Sequence, residues 1–559
     1  MSYNLVTEPW IPVSGDQGQT PELSLTQALL EAHDVPSLAL PAPTMLPALL
    51  RQVLLPVVLH ALGAPRTFED WQRRFEQGRF TKDERELLAD YLRRHQHRFD
   101  LLSATDRPFA QVANLRAASG ETKSATLLLP SVASGNNVPL FSAFTEADVV
   151  ELTPPQAALW LLHAHCWDTA AIKTGAVGDP KVKAGKTTGN PTGPLGQLGV
   201  IVPVGRTLYE TIMLNSPVLF DGLEPDDRPQ WAAATEDYPT TPGEADPGTA
   251  VWSERSARGV LDQLTWQSRR IRLVATETPQ GPRVTRVVVA AGDRLRLTPD
   301  LEPHTAWTHN PKPKPGQPAL RPRRHRSGRS AWHGLDTLLA LSLPTDGEGP
   351  YTSRLLRQVG ELDAEGFLAP AYPLRVETYG LEYGNQSAVV ENAIVDTLPM
   401  PVAALAAEDS DVRLAVLEAV GQADRVGRAL DRLLMDLRRA AGGEPLPRDK
   451  GSRPSELLLY ALDAAVRQLL SQLRHAGGDF DRLEGELADW EEILWSQASL
   501  IASQLLAAAP PTAFGGRETK EGTFRSAMAE RGFRNVLYAT LPRAADARTS
   551  QAATKEPAV

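Results

Sequence analysis

The chain has 559 residues, of which 42% are hydrophobic and 23% charged, so we expect a soluble globular protein of about two to four domains. Its 58 Lys and Arg residues against 68 Asp and Glu residues give a formal charge of −10, which excludes a polycation that coats nucleic acid by charge alone. Cys166 is the only cysteine, which excludes an intrachain disulfide and a cysteine-cluster metal site. The first residues also lack the apolar core of a secretory signal, so we expect a cytoplasmic protein.

The first hundred residues combine one short strand with helical periodicity. A strand is predicted in residues 3–13, with Trp10 as an anchor in the core. Prolines and polar residues interrupt the apolar run 46–62, which indicates a buried helix and not a membrane span. Helices are predicted in residues 24–32, 43–62 and 68–99.

Residues 130–144 form a predicted loop after a short extended stretch. Asn136 and Asn137 tolerate unusual backbone angles, and an exposed Phe141 could stack on a nucleic-acid base. A turn that leads Phe141 and Phe144 into the core explains the same composition equally well.

The stretch 173–199, called the glycine loop below, is the most unusual part of the chain. It has seven glycines, four lysines and one acid, and lies between an apolar helical run and the strand-like residues 200–204. Long loops without helix or strand periodicity are usually functional or disordered. Glycine lets main-chain N–H groups approach a ligand closely, and lysine suits phosphate. We therefore predict a loop that faces nucleic acid, with a flexible surface insertion as the alternative.

Beyond the glycine loop the chain alternates polar and apolar residues. Residues 260–275 and 284–297 are predicted strands, the second of which ends with Arg294 and Arg296. Residues 305–333 then hold seven Lys or Arg residues and no acid. This composition fits a surface that contacts phosphates, and it also fits a solvated basic loop.

The chain changes character near residue 400, where strand signals stop. Four amphipathic helices are predicted in residues 411–441, 454–476, 482–509 and 524–541. Their spacing predicts an antiparallel four-helix bundle in residues 401–545 that follows a mixed α/β domain in residues 1–400, an α+β fold overall. Residues 546–559 are predicted to be a disordered tail.

The sequence shows no catalytic constellation. Residues 185–187 (GKT) lack the glycine five residues earlier that a phosphate-cradling loop requires, since Pro180 stands there. On a helix His163 would pair with Cys166, and His165 with Asp168 on another face. No more than two of these side chains converge, so no metal and no cofactor is assigned. No Gly-x-Ser-x-Gly nucleophile motif occurs. A large chain that has the glycine loop and the basic residues 305–333 but no reactive centre is expected to be a recognition subunit rather than an enzyme.

Three stretches in order carry a family resemblance: YNLVTEPWIPV at residues 3–13, RPFAQ at residues 107–111, and TYGLEYGNQS at residues 378–387 followed by VVENAIVDTLP. They resemble the CasA family, the large subunit of the type I-E CRISPR surveillance complex Cascade, over the whole chain. The resemblance implies a subunit beside the 5′ handle of the CRISPR RNA that reads the protospacer-adjacent motif (PAM) of duplex DNA from the minor groove. It also implies that the subunit starts strand separation and recruits a helicase-nuclease.

The resemblance also implies roles for individual residues. The family's glutamine wedge, which splits the first base pair, corresponds to Asn385, Gln386 and Ser387. A lysine that contacts the PAM in relatives is replaced here by arginine, at Arg294 or Arg296, and the loop with Asn136, Asn137 and Phe141 would anchor the subunit to the RNA handle and its neighbours. The glycine-loop residues assigned to DNA are Lys173, Gly175, Gly178, Lys181, Lys183, Gly185 and Lys186.

The hypothesis is therefore a non-catalytic, PAM-sensing subunit of Cascade. Its expected partners are the other Cascade subunits, the CRISPR RNA 5′ handle, PAM-bearing duplex DNA and the helicase-nuclease, with no membrane. The alternatives are a scaffold that joins protein partners through the helical bundle without reading DNA, and an undetected nuclease.

Overall fold

The computed structural model describes residues 1–15, 18–103, 107–132, 150–233, 246–310, 312–313, 318–340, 350–406, 409–444, 447, 451, 453–519 and 522–555. The chain divides into two compact units. The first comprises residues 1–329, 340–368 and 374–397, and the second comprises residues 330–339, 369–373 and 398–559. The second unit thus begins near the predicted boundary, but it also includes two short segments that the sequence assigned to the first domain.

Helices and short sheets alternate through the first 400 residues, which confirms the mixed α+β prediction. The helices are α1 (Leu25–Leu30), α2 (Met45–Leu49), α3 (Leu55–Leu62), α4 (Phe68–Glu76), α5 (Lys82–His95), α6 (Pro154–Trp167), α7 (Leu208–Leu214), α8 (Val260–Leu264), α9 (Leu335–Leu338) and α10 (Arg354–Ala364). The strands are β1 (Ile11–Pro12), β2 (Glu22–Leu23), β3 (Lys123–Ser124), β4 (Lys173–Thr174), β5 (Lys186–Thr187), β6 (Val200–Val204), β7 (Glu254–Arg255), β8 (Arg269–Thr278), β9 (Gly281–Ala291), β10 (Arg294–Leu295), β11 (Trp307–His309), β12 (Leu320–Pro322), β13 (Pro350–Tyr351), β14 (Arg375–Tyr383) and β15 (Val390–Pro399).

The core of the first unit contains the apolar run near residue 50. A π-helical turn, Leu50–Leu54, joins α2 to α3. The segment Met45–Leu62 is long and apolar enough to cross a membrane by length and composition alone, but 78% of it is buried inside the protein. This is the burial of a core helix. Trp10 is fully buried as predicted, and its indole nitrogen donates to the carbonyl oxygen of Leu5.

Three sheets of the first unit position the candidate site. Strand β14 lies between β15 and β6, and the β14–β15 hairpin ends in a turn, Asn385–Ser387. Strand β9 lies between β3 and β8. The short strands β4 and β5 pair with each other inside the glycine loop.

Long helices dominate the chain after residue 400. The remaining elements are α11 (Ala403–Ala406), α12 (Asp411–Ala440), α13 (Pro454–Leu473), α14 (Phe480–Ala507), α15 (Thr512–Gly515), β16 (Arg517–Thr519), β17 (Gly522–Phe524), α16 (Ser526–Thr540) and α17 (Pro542–Lys555). Helix α12 packs against α13, α14 and α16, and α13 packs against α14. The four predicted helices correspond to α12, α13, α14 and α16, with ends within a few residues of the expected ones.

The predicted strand at residues 260–275 is wrong in its first half. Residues Val260–Leu264 form helix α8, and the strand begins at Arg269. The Asp227 carboxylate explains the helix, because its two oxygens each accept a hydrogen bond of 2.8 Å from the main-chain N–H groups of Leu261 and Asp262. A side chain more than thirty residues away thus caps the helix, and no local pattern reveals it.

The second of the two predicted strands, residues 284–297, ends earlier than expected. Strand β9 stops at Ala291, and Arg294–Leu295 form a separate strand, β10. Gly292 lies between them, and a Cβ atom there would lie 2.4 Å from the main-chain nitrogen of Arg269. The close approach of two chain segments therefore ends the ladder at this point.

The tail prediction is also wrong as far as Lys555, because helix α17 covers Pro542–Lys555. Arg543 holds this helix to α14 through Glu484 and Glu491, at nitrogen–oxygen distances of 2.8 Å each, and to α12 through Glu418 at 2.9 Å. The Glu491 side chain is fully buried. Composition predicted disorder, but these tertiary ion pairs order the helix.

We predict that Arg543→Ala lowers the free energy of unfolding of the second unit by about 3 kcal/mol, because it leaves the buried Glu491 without a cation. Urea denaturation measures this change. Arg548→Ala is the matched control on the same helix, since Arg548 pairs with Glu492, which is 56% exposed, and we expect it to cost less than about 1 kcal/mol. Equal effects of the two substitutions would contradict the role given to Arg543.

Candidate nucleic-acid interface

The glycine loop is an ordered hairpin at its base. Lys173 and Thr174 pair antiparallel with Thr187 and Lys186. The main-chain N–H of Ala118 also donates to the carbonyl oxygen of Gly175 at 2.7 Å, which ties the loop to a neighbouring segment. The prediction of a stretch without strands is therefore wrong at the base of the loop, and these bonds argue against a flexible insertion.

Two glycines of the loop are required by its geometry. A Cβ atom at Gly175 would lie 2.8 Å from the carbonyl oxygen of Gly185, so the hairpin closes only with glycine there. Gly185 has φ of 72°, in the left-handed region that glycine adopts without strain. Gly178 shares that conformation, with φ of 91°, and is exposed. Main chain is thus presented at the exposed end of the loop.

Trp252 joins the glycine loop to the strand that carries Arg294. Its indole nitrogen donates to the buried carboxylate of Asp179 at 3.0 Å. The Lys181 ammonium lies 3.7 Å from the centre of the Trp252 ring, and the Arg294 guanidinium lies 4.4 Å from it. Arg294 also donates to the carbonyl oxygen of Thr188 at 3.1 Å. The structure therefore brings these two predicted DNA-binding elements together.

No pattern in the sequence indicates the role of Trp252. It follows residues 221–249, an acidic and proline-rich stretch whose composition is typical of an irregular surface segment. Asp179, the single acid of the glycine loop, was the available clue, because a buried carboxylate needs hydrogen-bond donors. It accepts from the main-chain nitrogen of Lys181 at 2.9 Å as well as from Trp252.

The basic side chains at this surface differ in their availability. Lys183 and Lys186 are exposed and form no ion pair among the residues that the structure describes. Lys181 is held on Trp252, to whose carbonyl oxygen it donates a hydrogen bond. Arg296 is exposed and pairs with Glu254 at 3.2 Å. Lys183 and Lys186 are therefore the cations of the loop that can meet a phosphate without first breaking a contact.

Lys173 lies inside the protein rather than at the DNA-facing surface that the sequence predicted. Its ammonium lies 2.7 Å from a carboxylate oxygen of Asp168, and the Arg269 guanidinium lies 2.5 Å from the same oxygen. Arg269 also donates to the carbonyl oxygens of Thr169 and Pro191, each at 2.8 Å. This buried cluster fastens the start of the glycine loop to the end of α6 and to β8.

Burial alone would raise the pKa of the Asp168 carboxyl, but the charges and hydrogen bonds of Lys173 and Arg269 outweigh it and lower that pKa to about 2. Burial also lowers the pKa of the Lys173 ammonium, against the opposing effect of Asp168. The carboxylate is therefore the charge on which the cluster depends.

The predicted wedge, called the wedge tip below (Asn385–Ser387), forms the turn of the β14–β15 hairpin. Gln386 and Ser387 have φ of 52° and 54°, a left-handed conformation that costs non-glycine residues about 1 kcal/mol or more each. Asn385 and Gln386 are exposed. The strain is typical of a turn that presents side chains for a function.

The wedge tip is fastened to the same region as the glycine loop. The main-chain N–H of Ala170 donates to the carbonyl oxygen of Ser387 at 2.8 Å. The Tyr383 hydroxyl donates to the carbonyl oxygen of Trp167 at 2.6 Å. Both contacts lie within three residues of Asp168, so the end of α6 positions the wedge tip and the glycine loop together.

A cleft of about 290 Å³ lies between these elements. Its lining includes Lys173 and Lys186 of the glycine loop and Ala388 and Val390 beyond the wedge tip. Leu127–Leu129 complete one side, directly before the predicted RNA-anchoring loop, residues 130–144. Asn136, Asn137 and Phe141 of that loop lie outside the described residues, so their roles stay predictions.

The histidines of α6 are core residues. His163 and His165 are buried and hydrogen-bond to Thr44 and to the carbonyl oxygen of Ala110. Burial lowers their pKa to about 3 and about 4, and burial raises the pKa of the Cys166 thiol to about 12. Among the described residues, no group of three or more His, Cys, Asp or Glu side chains could hold a metal ion.

The chain is similar to proteins of one family along most of its length. Residues 4–501 match the family model described as CRISPR-associated protein Cse1. CRISPR-associated protein CasA/Cse1 of Thermus thermophilus is 29% identical over 509 residues, 89% of this chain and 90% of that protein. The crystal structure of Thermobifida fusca Cse1 is 32% identical with a TM-score of 0.79, covering 97% of this chain and 99% of that one. A chain of a CRISPR RNA-guided surveillance complex shares the fold, with a TM-score of 0.67 at 20% identity over 96% and 99% of the two chains.

We predict that Asp168→Asn lowers the free energy of unfolding of the first unit by about 3 kcal/mol at neutral pH, because Lys173 and Arg269 stay buried without their anion. The folded-state pKa of Asp168 lies below the unfolded value of 3.8, so its contribution is present above about pH 4 and is lost as the pH falls towards 2. The difference in unfolding free energy between the wild type and Asp168→Asn should therefore narrow by about 2 kcal/mol over that range.

Urea unfolding at several pH values, monitored by tryptophan fluorescence, measures this difference in unfolding free energy. Asp90→Asn is the control, since Asp90 is 58% exposed and pairs with an exposed arginine. A difference in unfolding free energy between the wild type and Asp168→Asn that stays constant from pH 5 to about pH 2 would contradict the ionic role of Asp168.

Proposed function

We propose that this chain, which belongs to the CRISPR-associated protein Cse1 family, is the large, non-catalytic subunit of a type I-E CRISPR surveillance complex that recognises the PAM of target DNA and starts strand separation. The observation that carries the proposal is the shared anchoring of the wedge tip and the glycine loop at the end of α6. The end of α6 thus joins a loop with exposed main chain and exposed lysines to a strained turn with an exposed glutamine, and Lys186 and Ala388 line the cleft between them. This combination suits contact with a groove better than it suits catalysis.

Main chain at the tip of the glycine loop suits the minor groove. The groove is about 6 Å wide, so glycine enters where larger side chains would clash. It distinguishes A·T from G·C pairs mainly by the guanine amino group. A reader of this kind is expected to accept several related motifs. Lys183 and Lys186 would contact the phosphates that flank the groove.

Gln386 suits the role of a wedge. Stacking stabilises a DNA base-pair step by about 1.4 kcal/mol on average, an amount that an inserted amide and nearby phosphate contacts can offset. The turn is already in its strained conformation, so no further ordering is required when DNA arrives. In RNA-guided recognition the protein reads the short motif and base pairing reads the remaining sequence.

The proposal includes partners that the resemblance implies. The subunit would bind the other subunits of the complex, the 5′ handle of the CRISPR RNA and, after target recognition, a helicase-nuclease, in the cytoplasm. In the second unit two large aromatic side chains are exposed, Tyr460 at 86% and Phe514 at 82%. Binding of protein partners alone is also what the rival hypothesis of a scaffold expects. A scaffold would bind PAM-bearing and PAM-lacking duplexes equally, whereas we expect a clear preference for PAM.

We predict that Gln386→Ala slows R-loop formation about tenfold on a linear duplex, since it removes the side chain that offsets about 1.4 kcal/mol of stacking. Assembly with the CRISPR RNA and the other subunits should be unchanged. Stopped-flow fluorescence with a labelled duplex measures the rate. A duplex that is mismatched at the first position should restore the rate of R-loop formation, because the first base pair, which Gln386 is proposed to open, is then already unpaired.

Gln504→Ala is the matched control, since Gln504 is exposed on α14 in the second unit. Gln386→Asn keeps an amide and a residue that tolerates the left-handed conformation, so it should fall between the wild type and the alanine variant. Unchanged kinetics of Gln386→Ala on the linear duplex would remove the wedge assignment.

We predict that replacing Lys183 and Lys186 by alanine weakens duplex binding and reduces the slope of log K against log salt by about 1.8, two phosphate contacts at about 0.9 each. Lys181→Ala should change the slope less, because Lys181 is held on Trp252. Titrations of the assembled complex at several salt concentrations measure the slope. Lys82→Ala, at an exposed helix position, is the control, and an unaltered slope in the double variant would make the two lysines ordinary solvated residues.

A further inference from the structure

The backbone on both sides of Trp252 is fixed to β8 by buried charges. Arg270 of β8 is fully buried and donates to the carbonyl oxygen of Val251 at 2.9 Å. Its guanidinium also lies 3.1 Å from a carboxylate oxygen of Asp293, and the same oxygen accepts from the main-chain N–H of Ser253 at 2.9 Å. Trp252 therefore projects from a segment that has little freedom to move.

The Trp252 side chain extends this fixed position to the glycine loop. Trp252 is 5% exposed, and its indole nitrogen donates to the Asp179 carboxylate at 3.0 Å. Asp179 directly follows Gly178, whose main chain is exposed, and it also accepts from the main-chain N–H of Lys181 at 2.9 Å. The loop is thus attached to the first unit close to its exposed main chain as well as at its base.

The ring of Trp252 provides two further attachments. Lys181 of the loop and Arg294 of β10 lie 3.7 Å and 4.4 Å from the centre of the ring, and an aromatic face attracts such cations. Arg294 in turn donates to the carbonyl oxygen of Thr188 at 3.1 Å. Removal of the indole would therefore break one hydrogen bond and two cation–π contacts that hold the loop.

A loop that reads DNA with its main chain needs such a support. In the minor groove a G·C pair differs from an A·T pair mainly by the guanine amino group. A loop held at one depth clashes with an amino group at the wrong position, whereas a loop that can retreat accepts it. Discrimination by exclusion therefore depends on the stiffness of the loop, while much of the affinity comes from cations that meet the phosphates.

We propose that Trp252 is a positioning residue that sets how strictly the glycine loop discriminates between PAM sequences. The proposal rests on the proposed function, because it takes the glycine loop as the element that reads the minor groove. Trp252 is buried, so its effect on DNA passes through its contacts with Asp179, Lys181 and Arg294. Its substitution should relax specificity more than it lowers affinity.

The test measures the affinity of the assembled complex for duplexes that carry each PAM sequence in turn. The guide does not match these duplexes, so strand opening does not contribute. Trp252→Leu should reduce the ratio of affinities for the preferred PAM and its single-base variants about tenfold, within the range that one mismatched base pair costs. The affinity for the preferred PAM should fall less than about threefold, because Lys183 and Lys186 are unaltered.

Three further variants separate positioning from general stability. Trp252→Phe keeps a ring for the two cations but loses the N–H donor, so it should reduce the ratio less than Trp252→Leu does. Asp179→Ala removes the acceptor of the same hydrogen bond, and its effect should not add to that of Trp252→Leu, since both break one connection. Trp71→Leu is the matched control. It removes another buried indole of the first unit, whose nitrogen donates to the carbonyl oxygen of Met213 at 2.9 Å, and should leave the ratio unchanged.

The outcomes separate the role of Trp252 from the proposed function. An unchanged ratio in Trp252→Leu, or an equal fall in Trp71→Leu, would overturn the proposal. Should Trp252→Leu not assemble, Trp252→Phe decides in its place, and an unchanged ratio there overturns the proposal as well. If the wild-type complex prefers PAM and responds to Gln386→Ala while the Trp252 variants keep the full ratio, only the role of Trp252 fails. A wild-type complex without preference for any PAM sinks the proposed function, and the role of Trp252 with it.

Discussion

The carboxylate of Asp168 is the constraint on which the candidate site depends. It holds Lys173 at the start of the glycine loop and Arg269 at the start of β8 through one oxygen atom. Taking three charges out of water is costly, so such a cluster persists only when each charge has its partners. Arg269 satisfies this requirement by donating to main-chain carbonyls as well. Lys173, which the sequence analysis assigned to DNA binding, instead fixes the position of the glycine loop.

The fixed base of the site explains how the wedge tip can hold a strained conformation. Left-handed backbone at two successive residues costs about 2 kcal/mol in total. The hairpin ladder and the contacts of Ser387 and Tyr383 at the end of α6 offset this cost. Under the proposed function, a turn prepared in this way would lose little entropy on meeting a base pair. Trp252 has the same effect on the glycine loop, since its contacts with Asp179, Lys181 and Arg294 fix the loop without DNA.

Local patterns in the sequence predicted the parts of the fold that depend on local rules. The helices after residue 400 appear where apolar residues recur with helical period, because an amphipathic helix needs little more than that period and its caps. Helix α8 and helix α17 were missed because the Asp227 cap and the Arg543 ion pairs come from residues distant in sequence. Lys173 was misplaced for the same reason, since a sequence shows a lysine in a loop but not the buried carboxylate beneath it. The family resemblance assigned the wedge to residues 385–387, an assignment that stays a prediction, and composition would not have indicated the strained backbone of Gln386 and Ser387.

The distribution of charge would limit how this surface binds nucleic acid under the proposed function. A net charge of −10 disfavours indiscriminate association with nucleic acid, so binding would depend on the few places where cations lack acidic partners. Lys183 and Lys186 are one such place, since both are exposed and form no ion pair among the described residues. Lys173 is held by Asp168 and Lys181 by Trp252. Two of the four lysines of the glycine loop thus fix its position, which would leave the other two to contact phosphate.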